Sequence, residues 1–195
     1  GISESEDMLA TIDCIKALGA DCRLTGDKLD VRGIYSAGTE SNTLGRSGRS
    51  IVFPCRESGS TLRFCIPPAL LSGGSAVFTG TPRLMERGVG IYEALLAQKG
   101  ISVSRTPDAV TFSGRLMPGD YALRGDVSSQ FITGLLLALP LLPGSSTLRV
   151  LPPVESRPYI DITLDTMSAF GVRVEEREPN LFTIPGGQRN ESRRA

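Results

Sequence analysis

The sequence predicts one α/β (α+β) domain built from a repeated unit of the form strand-helix-strand-helix-strand-strand. Three observations support this prediction. Three segments contain an amphipathic helix pattern that ends at a glycine, each is followed by two short alternating segments, and two are preceded by a further strand, helix and strand pattern. A chain of 195 residues, of which 40% are hydrophobic, can bury a core without metal ions or disulfides.

Three helices are predicted from apolar residues at steps of three and four, a spacing that places these residues on one buried face. These patterns lie at residues 8–18, 91–98 and 160–170. They end at Gly19, Gly100 and Gly171. Glycine adopts the left-handed conformation of a helix C-terminus without steric cost, so the helices are predicted to stop there.

A hairpin is predicted after each of these helices, because alternating residues flank a polar turn. The first strands are predicted at residues 22–24, 103–105 and 172–174. The turns fall at 26–27, 107–108 and 179–180, and the second strands at 29–31, 110–112 and 181–184. Each unit therefore ends in two antiparallel strands.

A further strand, helix and strand precede the second and third of these helices. In the second unit they are predicted at residues 50–53, about 58–71 and 76–79, and in the third at 121–123, about 128–138 and 147–150. The complete units span about residues 49–114 and 120–186, whereas residues 1–33 begin at the second helix of a unit. We therefore expect one domain over residues 1–188, a tail or interdomain linker at 189–195, and a longer parent protein. A protein that has lost half a unit is the alternative.

Composition excludes several classes of function. The chain has no histidine, so it cannot supply a Ser-His-Asp triad, a Cys-His pair or a histidine-ligated zinc site. Its 21 basic and 21 acidic side chains give a net charge of zero, which argues against a nucleic-acid partner. Any anion must therefore be recognised by local geometry.

The cysteines and the apolar runs indicate a cytoplasmic protein with no membrane partner. Four cysteines occur without a C-x-x-C pair, at Cys14, Cys22, Cys55 and Cys65, which favours free thiols in a reducing compartment. The longest apolar run, residues 131–142, contains a proline and is shorter than the roughly 20 residues that a membrane span needs. The acidic N-terminus lacks the basic and apolar regions of a signal peptide.

Small polar residues open the first helix of each complete unit, at residues 57–61 and 126–130. A helix N-terminus offers unpaired N–H groups and partial positive charge, so it can hold a phosphate or carboxylate. Ordinary N-capping by these serines is the alternative. Their occurrence at equivalent places in two repeats, with Gln130 added in one, favours a binding site.

The loops before the second helices, residues 81–87 and 153–159, form a second candidate region. Ser60 and Ser129 are as far apart in sequence as Glu86 and Glu155, so the loops are predicted to be equivalent. We expect side chains of these loops to converge on the end of the sheets where the first helices begin. They are Arg87, Ser156, Arg157 and Tyr159. An arginine fork binds carboxylate or phosphate well, although an arginine-rich composition alone could explain these residues. No general acid or base stands out.

Four motifs together resemble the 5-enolpyruvylshikimate-3-phosphate synthase family. The two most specific are residues 127–131 and 156–164, supported by residues 80–87 and 58–63, and the resemblance covers about residues 3–188. It implies one of two similar domains, each made of three such units, in the fold called an inside-out α/β barrel. Phe64 and Gly88 stand where the family often has proline.

The resemblance also implies a reaction and a set of ligands. The family transfers the enolpyruvyl group of phosphoenolpyruvate to the 5-hydroxyl of shikimate 3-phosphate and releases phosphate, with no metal or organic cofactor. The implied ligands of shikimate 3-phosphate are Ser128, Ser129, Gln130, Ser156 and Tyr159. The implied ligands of phosphoenolpyruvate are Gly59, Arg87 and Gln130. The catalytic residues are implied to lie mostly outside this chain, in a second domain of the same polypeptide, so the chain alone is expected to be an inactive half-site.

Two other functions stay open at this point. The chain could be a non-catalytic module that binds a small anion. It could also be a relative of UDP-N-acetylglucosamine enolpyruvyl transferase, which would carry a reactive cysteine in a loop; the residues around Ser129 and Tyr159 do not suit that family.

Overall fold

The computed structural model describes residues 4–33 and 50–191, and in this part of the chain the repeat is visible in every unit. The first segment contains α1 (Glu6–Ala17), β1 (Asp21–Thr25) and β2 (Lys28–Arg32). Ser5 caps α1 by accepting a hydrogen bond from the Met8 N–H at 3.2 Å. The helix ends before Gly19, whose φ of 106° only glycine adopts readily. The predicted helix and hairpin are both present.

The second unit contains all of its predicted elements and one more helix. They are β3 (Ser50–Pro54), α2 (Gly59–Ala69), β4 (Ser75–Thr79), α3 (Pro82–Glu86), α4 (Gly90–Ala97), β5 (Ser102–Thr106) and β6 (Ala109–Ser113). Helix α3 lies inside the segment predicted as a loop. Thr81 accepts a hydrogen bond from the Leu84 N–H at 3.4 Å, and Pro82 occupies the first turn, where proline is well tolerated. This Thr-Pro pair is the local signal that should have predicted the helix.

The third unit repeats the second. Its elements are β7 (Asp120–Arg124), α5 (Ser129–Ala138), a 3-10 turn (Leu139–Leu141), β8 (Ser146–Leu151), α6 (Arg157–Ala169), β9 (Glu175–Glu178) and β10 (Leu181–Ile184). Helix α6 starts at Arg157, inside the segment predicted as a loop, with Pro158 in its first turn. The loop before it is therefore shorter than predicted.

The position of one predicted strand is wrong. Residues 172–174 are not a strand, and β9 begins at Glu175. The side chain of Gln188 explains the difference, because its oxygen accepts from the Arg173 N–H at 2.7 Å and its nitrogen donates to the Arg173 carbonyl at 2.9 Å. The backbone groups of Arg173 are thus satisfied by an amide side chain instead of a neighbouring strand.

The sheets confirm that the two complete units share one topology. Their strand orders are β3-β4-β6-β5 and β7-β8-β10-β9. In each sheet the first pair is parallel and the remaining pairs are antiparallel. Strands β1 and β2 form a two-stranded sheet that corresponds to the final hairpin of the other units.

The core lies between these sheets and the first helices of the two complete units. Helix α5 buries residues on all sides, which is typical of a helix surrounded by protein. Tyr92 of α4 packs edge-to-face on Phe131 of α5, with ring centroids 4.9 Å apart, and its hydroxyl donates to the Phe131 carbonyl at 2.6 Å. These contacts hold the beginning of α5 in place. Within residues 4–33 and 50–191, no helix combines the length and apolar character that a membrane crossing requires.

Candidate functional site

A cavity of about 780 Å³ lies beside the first turns of α5 and α6. This volume is within the range of small-molecule sites. The five residues predicted as ligands of shikimate 3-phosphate all line it. They are Ser128, Ser129, Gln130, Ser156 and Tyr159. The structure therefore brings together residues from two helices that the sequence separates by more than twenty positions.

The start of α5 forms the polar end of the cavity. Ser128 is the N-cap, and its hydroxyl accepts a long hydrogen bond of 3.4 Å from the Gln130 N–H. Ser129 is buried in the first turn. Because the N–H groups of a first turn lack helical partners and carry partial positive charge, this end of the cavity favours an oxyanion.

The start of α6 adds a hydroxyl and an aromatic ring. Ser156 is the N-cap of α6, yet its side chain makes no capping hydrogen bond. Tyr159 is 66% exposed, and its backbone carbonyl accepts from the Thr163 hydroxyl at 2.9 Å. Both side chains are therefore free to contact a ligand.

The start of α2 differs from the start of α5. The N-cap Ser58 is buried and bonded to the Thr61 hydroxyl at 2.8 Å, and Thr11 of α1 reaches the same hydroxyl at 2.7 Å. These hydroxyls are hydrogen-bonded to one another. Of the two helix starts predicted to hold anions, the start of α5 lines the cavity and the start of α2 does not. Ser58 and Ser128 are the N-cap residues of α2 and α5, so they occupy equivalent positions in the two units. The sequence spacing had instead matched Ser60 with Ser129.

The two remaining predicted ligands, Gly59 and Arg87, do not line the cavity and instead adjoin Arg63. A Cβ on Gly59 would lie 3.5 Å from Arg63 Nη1. Burial, and after it the positive charge of Arg87, lowers the pKa of Arg63. Arg63 Nη1 in turn donates to Gln130 Oε1 at 2.5 Å. Gln130 therefore lines the cavity and also contacts a neighbouring cationic cluster, which consists of Arg63 and Arg87 beside Gly59.

Arg63 has no role in the sequence prediction, although it stands in the motif at residues 58–63. Its guanidinium carbon lies 5.0 Å from the centre of the Phe131 ring, and its Nε is buried with no hydrogen-bond partner in the described part of the chain. The available signal was its spacing from Gly59, since residues four apart share one face of a helix.

Arg157 points away from the cavity, contrary to the sequence prediction. It donates two hydrogen bonds to Glu176, at 2.6 and 2.7 Å, and one to Asp161 at 2.7 Å. Its guanidinium also lies over the ring of Phe182. Arg157 therefore fastens α6 to the final hairpin instead of binding a ligand.

The chemistry of the cavity is that of binding and orientation. Apart from Tyr159, none of the described residues that line it has an ionisable side chain. Within the described ranges, no cluster of three His, Cys, Asp or Glu residues could hold a metal ion. All four cysteines of the chain are buried, and none of them lines the cavity. Hydroxyls, an amide and helix N–H groups fit a phosphorylated, hydroxylated molecule.

Comparison with known proteins agrees with this chemistry. The family model described as EPSP synthase (3-phosphoshikimate 1-carboxyvinyltransferase) matches residues 1–195. A protein of Clostridium novyi (strain NT) with the name 3-phosphoshikimate 1-carboxyvinyltransferase is 38% identical over 97% of this chain and 44% of its own length. A protein of Clostridium kluyveri with the same name is 39% identical over 94% of this chain and 42% of its own length. The chain thus spans under half the length of these relatives.

The fold is similar to that of a solved enzyme. The EPSP synthase of Acinetobacter baumannii superposes with a TM-score of 0.71 at 21% identity, over 97% of this chain and 41% of that one. At this level of identity the similarity concerns the fold alone. The structure therefore has the architecture of part of an EPSP synthase.

Proposed function

The chain belongs to the EPSP synthase family, and on this basis we propose that it is the shikimate-3-phosphate-holding part of a 3-phosphoshikimate 1-carboxyvinyltransferase. The observation that carries the proposal is the convergence of five polar or aromatic residues on one cavity. These residues come from the starts of two helices that are distant in sequence. A cluster of serines on one surface segment would not explain their convergence.

We assign the phosphate of shikimate 3-phosphate to the start of α5. Ser128 and Ser129 offer hydroxyls there, and the first-turn N–H groups add donors. Ser156 offers a further hydroxyl whose geometry no capping bond restricts. Tyr159 covers the carbocycle with its ring, as aromatic side chains do when one face of a ligand is apolar.

We assign phosphoenolpyruvate to the side of Gln130 that faces the cationic cluster. Arg87 is exposed, and in the described part of the chain no carboxylate pairs with it or with Arg63. The carboxylate and phosphate of phosphoenolpyruvate would supply the missing negative charge. Gly59 leaves room for it, because it has no side chain beside Arg63 Nη1.

In the reaction, the 5-hydroxyl oxygen gives up its proton to a base and bonds to C2 of phosphoenolpyruvate, while C3, the methylene carbon of phosphoenolpyruvate, takes a proton from an acid. Loss of a proton from the resulting methyl group then re-forms the C2=C3 double bond as the C2–O bond to the phosphate group breaks, which releases inorganic phosphate. Among the described residues that line the cavity, none offers a carboxylate or amine to move these protons, so we assign them binding and orientation. We propose that a second domain of the same polypeptide supplies the acid and base groups, and that neither a metal nor an organic cofactor takes part.

The proposal is tested by titrating shikimate 3-phosphate into the ¹⁵N-labelled chain and following its amide resonances. We expect the amides of Ser128, Ser129, Gln130 and Ser156 to shift together with one saturation curve. Shikimate and inorganic phosphate serve as matched controls, and each should bind at least about tenfold more weakly. Equal affinity for inorganic phosphate would favour a small-anion-binding module, and no shift at millimolar ligand would overturn the assignment.

We further propose that residues 4–33 are the second half of an incomplete first repeat unit, which precedes the two complete units. Strand β2 corresponds to β6 and β10, which are paired on both sides, whereas β2 pairs with β1 alone in the described part of the chain. Val31 of β2 is 50% exposed. We expect hydrogen exchange to be fast at every second amide of β2 and slow throughout β6 and β10. Uniform protection of β2 would contradict an open strand edge.

A further inference from the structure

We propose that Arg63 is a positioning residue that fixes the side-chain amide of Gln130, so that its nitrogen faces the cavity and donates to a substrate oxygen. This inference rests on the proposed function for the identity of the ligand. It rests on geometry for the orientation of the amide.

The orientation follows from the chemistry of the guanidinium group. Arginine has only donors, so the Gln130 atom that lies 2.5 Å from Arg63 Nη1 has to be the carbonyl oxygen. The amide nitrogen is then turned away from Arg63. Because Gln130 lines the cavity, and no described residue accepts a hydrogen bond from its amide nitrogen, that NH₂ group is left for a ligand.

Arg63 is itself held firmly enough to impose this orientation. Its guanidinium lies over the Phe131 ring, which belongs to the same helix turn as Gln130. Helices α2 and α5 approach closely at Gly134, where a Cβ would lie only 2.5 Å from the Arg63 carbonyl. The arginine side chain therefore spans a short, fixed gap to α5.

The orientation decides which ligands the polar end accepts. With its NH₂ group inward, Gln130 joins the helix N–H groups as a donor to oxyanions. With its oxygen inward, Gln130 would place a hydrogen-bond acceptor against the oxyanion, which is itself an acceptor, and the two oxygens would repel each other. Serine hydroxyls rotate and serve either purpose, so Gln130 is the group whose direction has to be imposed.

The first measurement is made on the full chain without ligand, by ¹⁵N relaxation of the Gln130 side-chain NH₂ group. We expect an order parameter near that of the backbone in the wild type and a clearly lower one in Arg63→Met. The matched control is Arg115→Met, which removes an exposed arginine and should change nothing. Arg63→Lys keeps a donor and should restore most of the order. Equal mobility of Gln130 in the wild type and Arg63→Met overturns the proposal.

The second measurement compares binding of shikimate 3-phosphate among variants. We expect Arg63→Met to weaken binding about tenfold, and Arg63→Lys to recover most of that loss. Gln130→Glu should pair more strongly with Arg63, keep the fold, and still lose binding, because it presents an acceptor to the ligand. If Gln130→Glu binds as well as the wild type, the proposal fails. If the wild type itself does not bind, the proposed function fails while the ligand-free relaxation result still decides the role of Arg63.

Discussion

Ser58 and Ser156 are both helix N-caps, but their hydroxyls have different surroundings. The Ser58 hydroxyl is buried and bonded to Thr61, whereas the Ser156 hydroxyl makes no capping bond and lines the cavity. The first satisfies a helix end, and the second is available to a ligand. Residue type alone does not distinguish the two roles.

This contrast predicts opposite effects of the same substitution. Ser58→Ala should lower the free energy of unfolding by about 1 to 2 kcal/mol, because it leaves buried partners unsatisfied. Ser156→Ala should change stability by less than about 0.5 kcal/mol and weaken shikimate 3-phosphate binding several-fold. Urea unfolding and ligand titration measure the two effects. A loss of stability in Ser156→Ala as large as in Ser58→Ala would make its hydroxyl structural.

At the scale of elements, the Arg157–Glu176 ion pair helps to tie α6 to the β9–β10 hairpin. The paired hydrogen bonds from Arg157 hold the pKa of Glu176 below its usual value of 4.5. A carboxyl group whose pKa is lower in the folded than in the unfolded chain stabilises the fold above the unfolded pKa. That contribution is lost as the pH falls through the folded pKa.

Glu176→Gln should therefore cost about 1 kcal/mol of stability at pH 7, a modest value because both partners are partly exposed. The difference from the wild type should shrink as the pH falls below about 4. Urea unfolding at a series of pH values measures it. Glu178→Gln, in the same strand and 4.0 Å from Arg149, is the control and should have little effect at any pH. A penalty that stays constant down to pH 2 would show that the ion pair is not the cause.

The contact between α2 and α5 depends on a glycine. At Gly134, a Cβ would collide with the Tyr92 hydroxyl and lie 2.5 Å from the Arg63 carbonyl. That carbonyl has no α-helical partner in its own helix, because Pro67 four residues later has no N–H. The two helices can therefore approach only where α5 has no side chain.

Gly134→Ala should lower stability by about 1 to 3 kcal/mol, since the backbone on one side of the contact cannot move out of the way. It should also separate Arg63 from Gln130 and weaken ligand binding. Thermal unfolding and the titration described above provide the two measurements. Gly90→Ala is a suitable control, because nothing lies within 4 Å of its Cβ position and its stability should be unchanged or slightly raised. Full stability in Gly134→Ala would contradict the close approach.

At the scale of the molecule, residues 4–33 are held to the second unit through α1. Arg56 donates to Glu6 at 3.0 Å and to Asp13 at 2.9 Å. Beneath these ion pairs, the sulfur atoms of Cys14 and Cys55 are 3.8 Å apart in the buried core. The thiols therefore report whether α1 is docked.

We expect none of the four cysteines to react with Ellman's reagent in the native chain and all four to react in denaturant. The hydrogen bond with Cys14 and burial both raise the pKa of the Cys55 thiol, and burial raises that of Cys22. Arg56→Gln should make Cys14 and Cys55 react together at low urea, before the rest of the core opens. Rapid labelling of any native thiol would contradict this packing.

The sequence by itself determined the repeat, the helices other than α3, the hairpins apart from the position of one strand, and the five residues that line the cavity. These features depend on periodicity, glycine caps and short motifs, which act over a few neighbouring residues. Helix α3 was missed although its Thr-Pro start is equally local, so that omission was avoidable.

Only the tertiary structure decided which of these local features meet. Helix α1 closes the start of α2 while the start of α5 stays open, Arg157 turns to the hairpin, and Gln188 replaces a strand beside Arg173. Arg63 reaches Gln130 because two helices approach at one glycine. Such contacts depend on which surfaces of distant segments pack together, and a side chain's direction across a helix interface is set by its partner and not by its own neighbours in sequence.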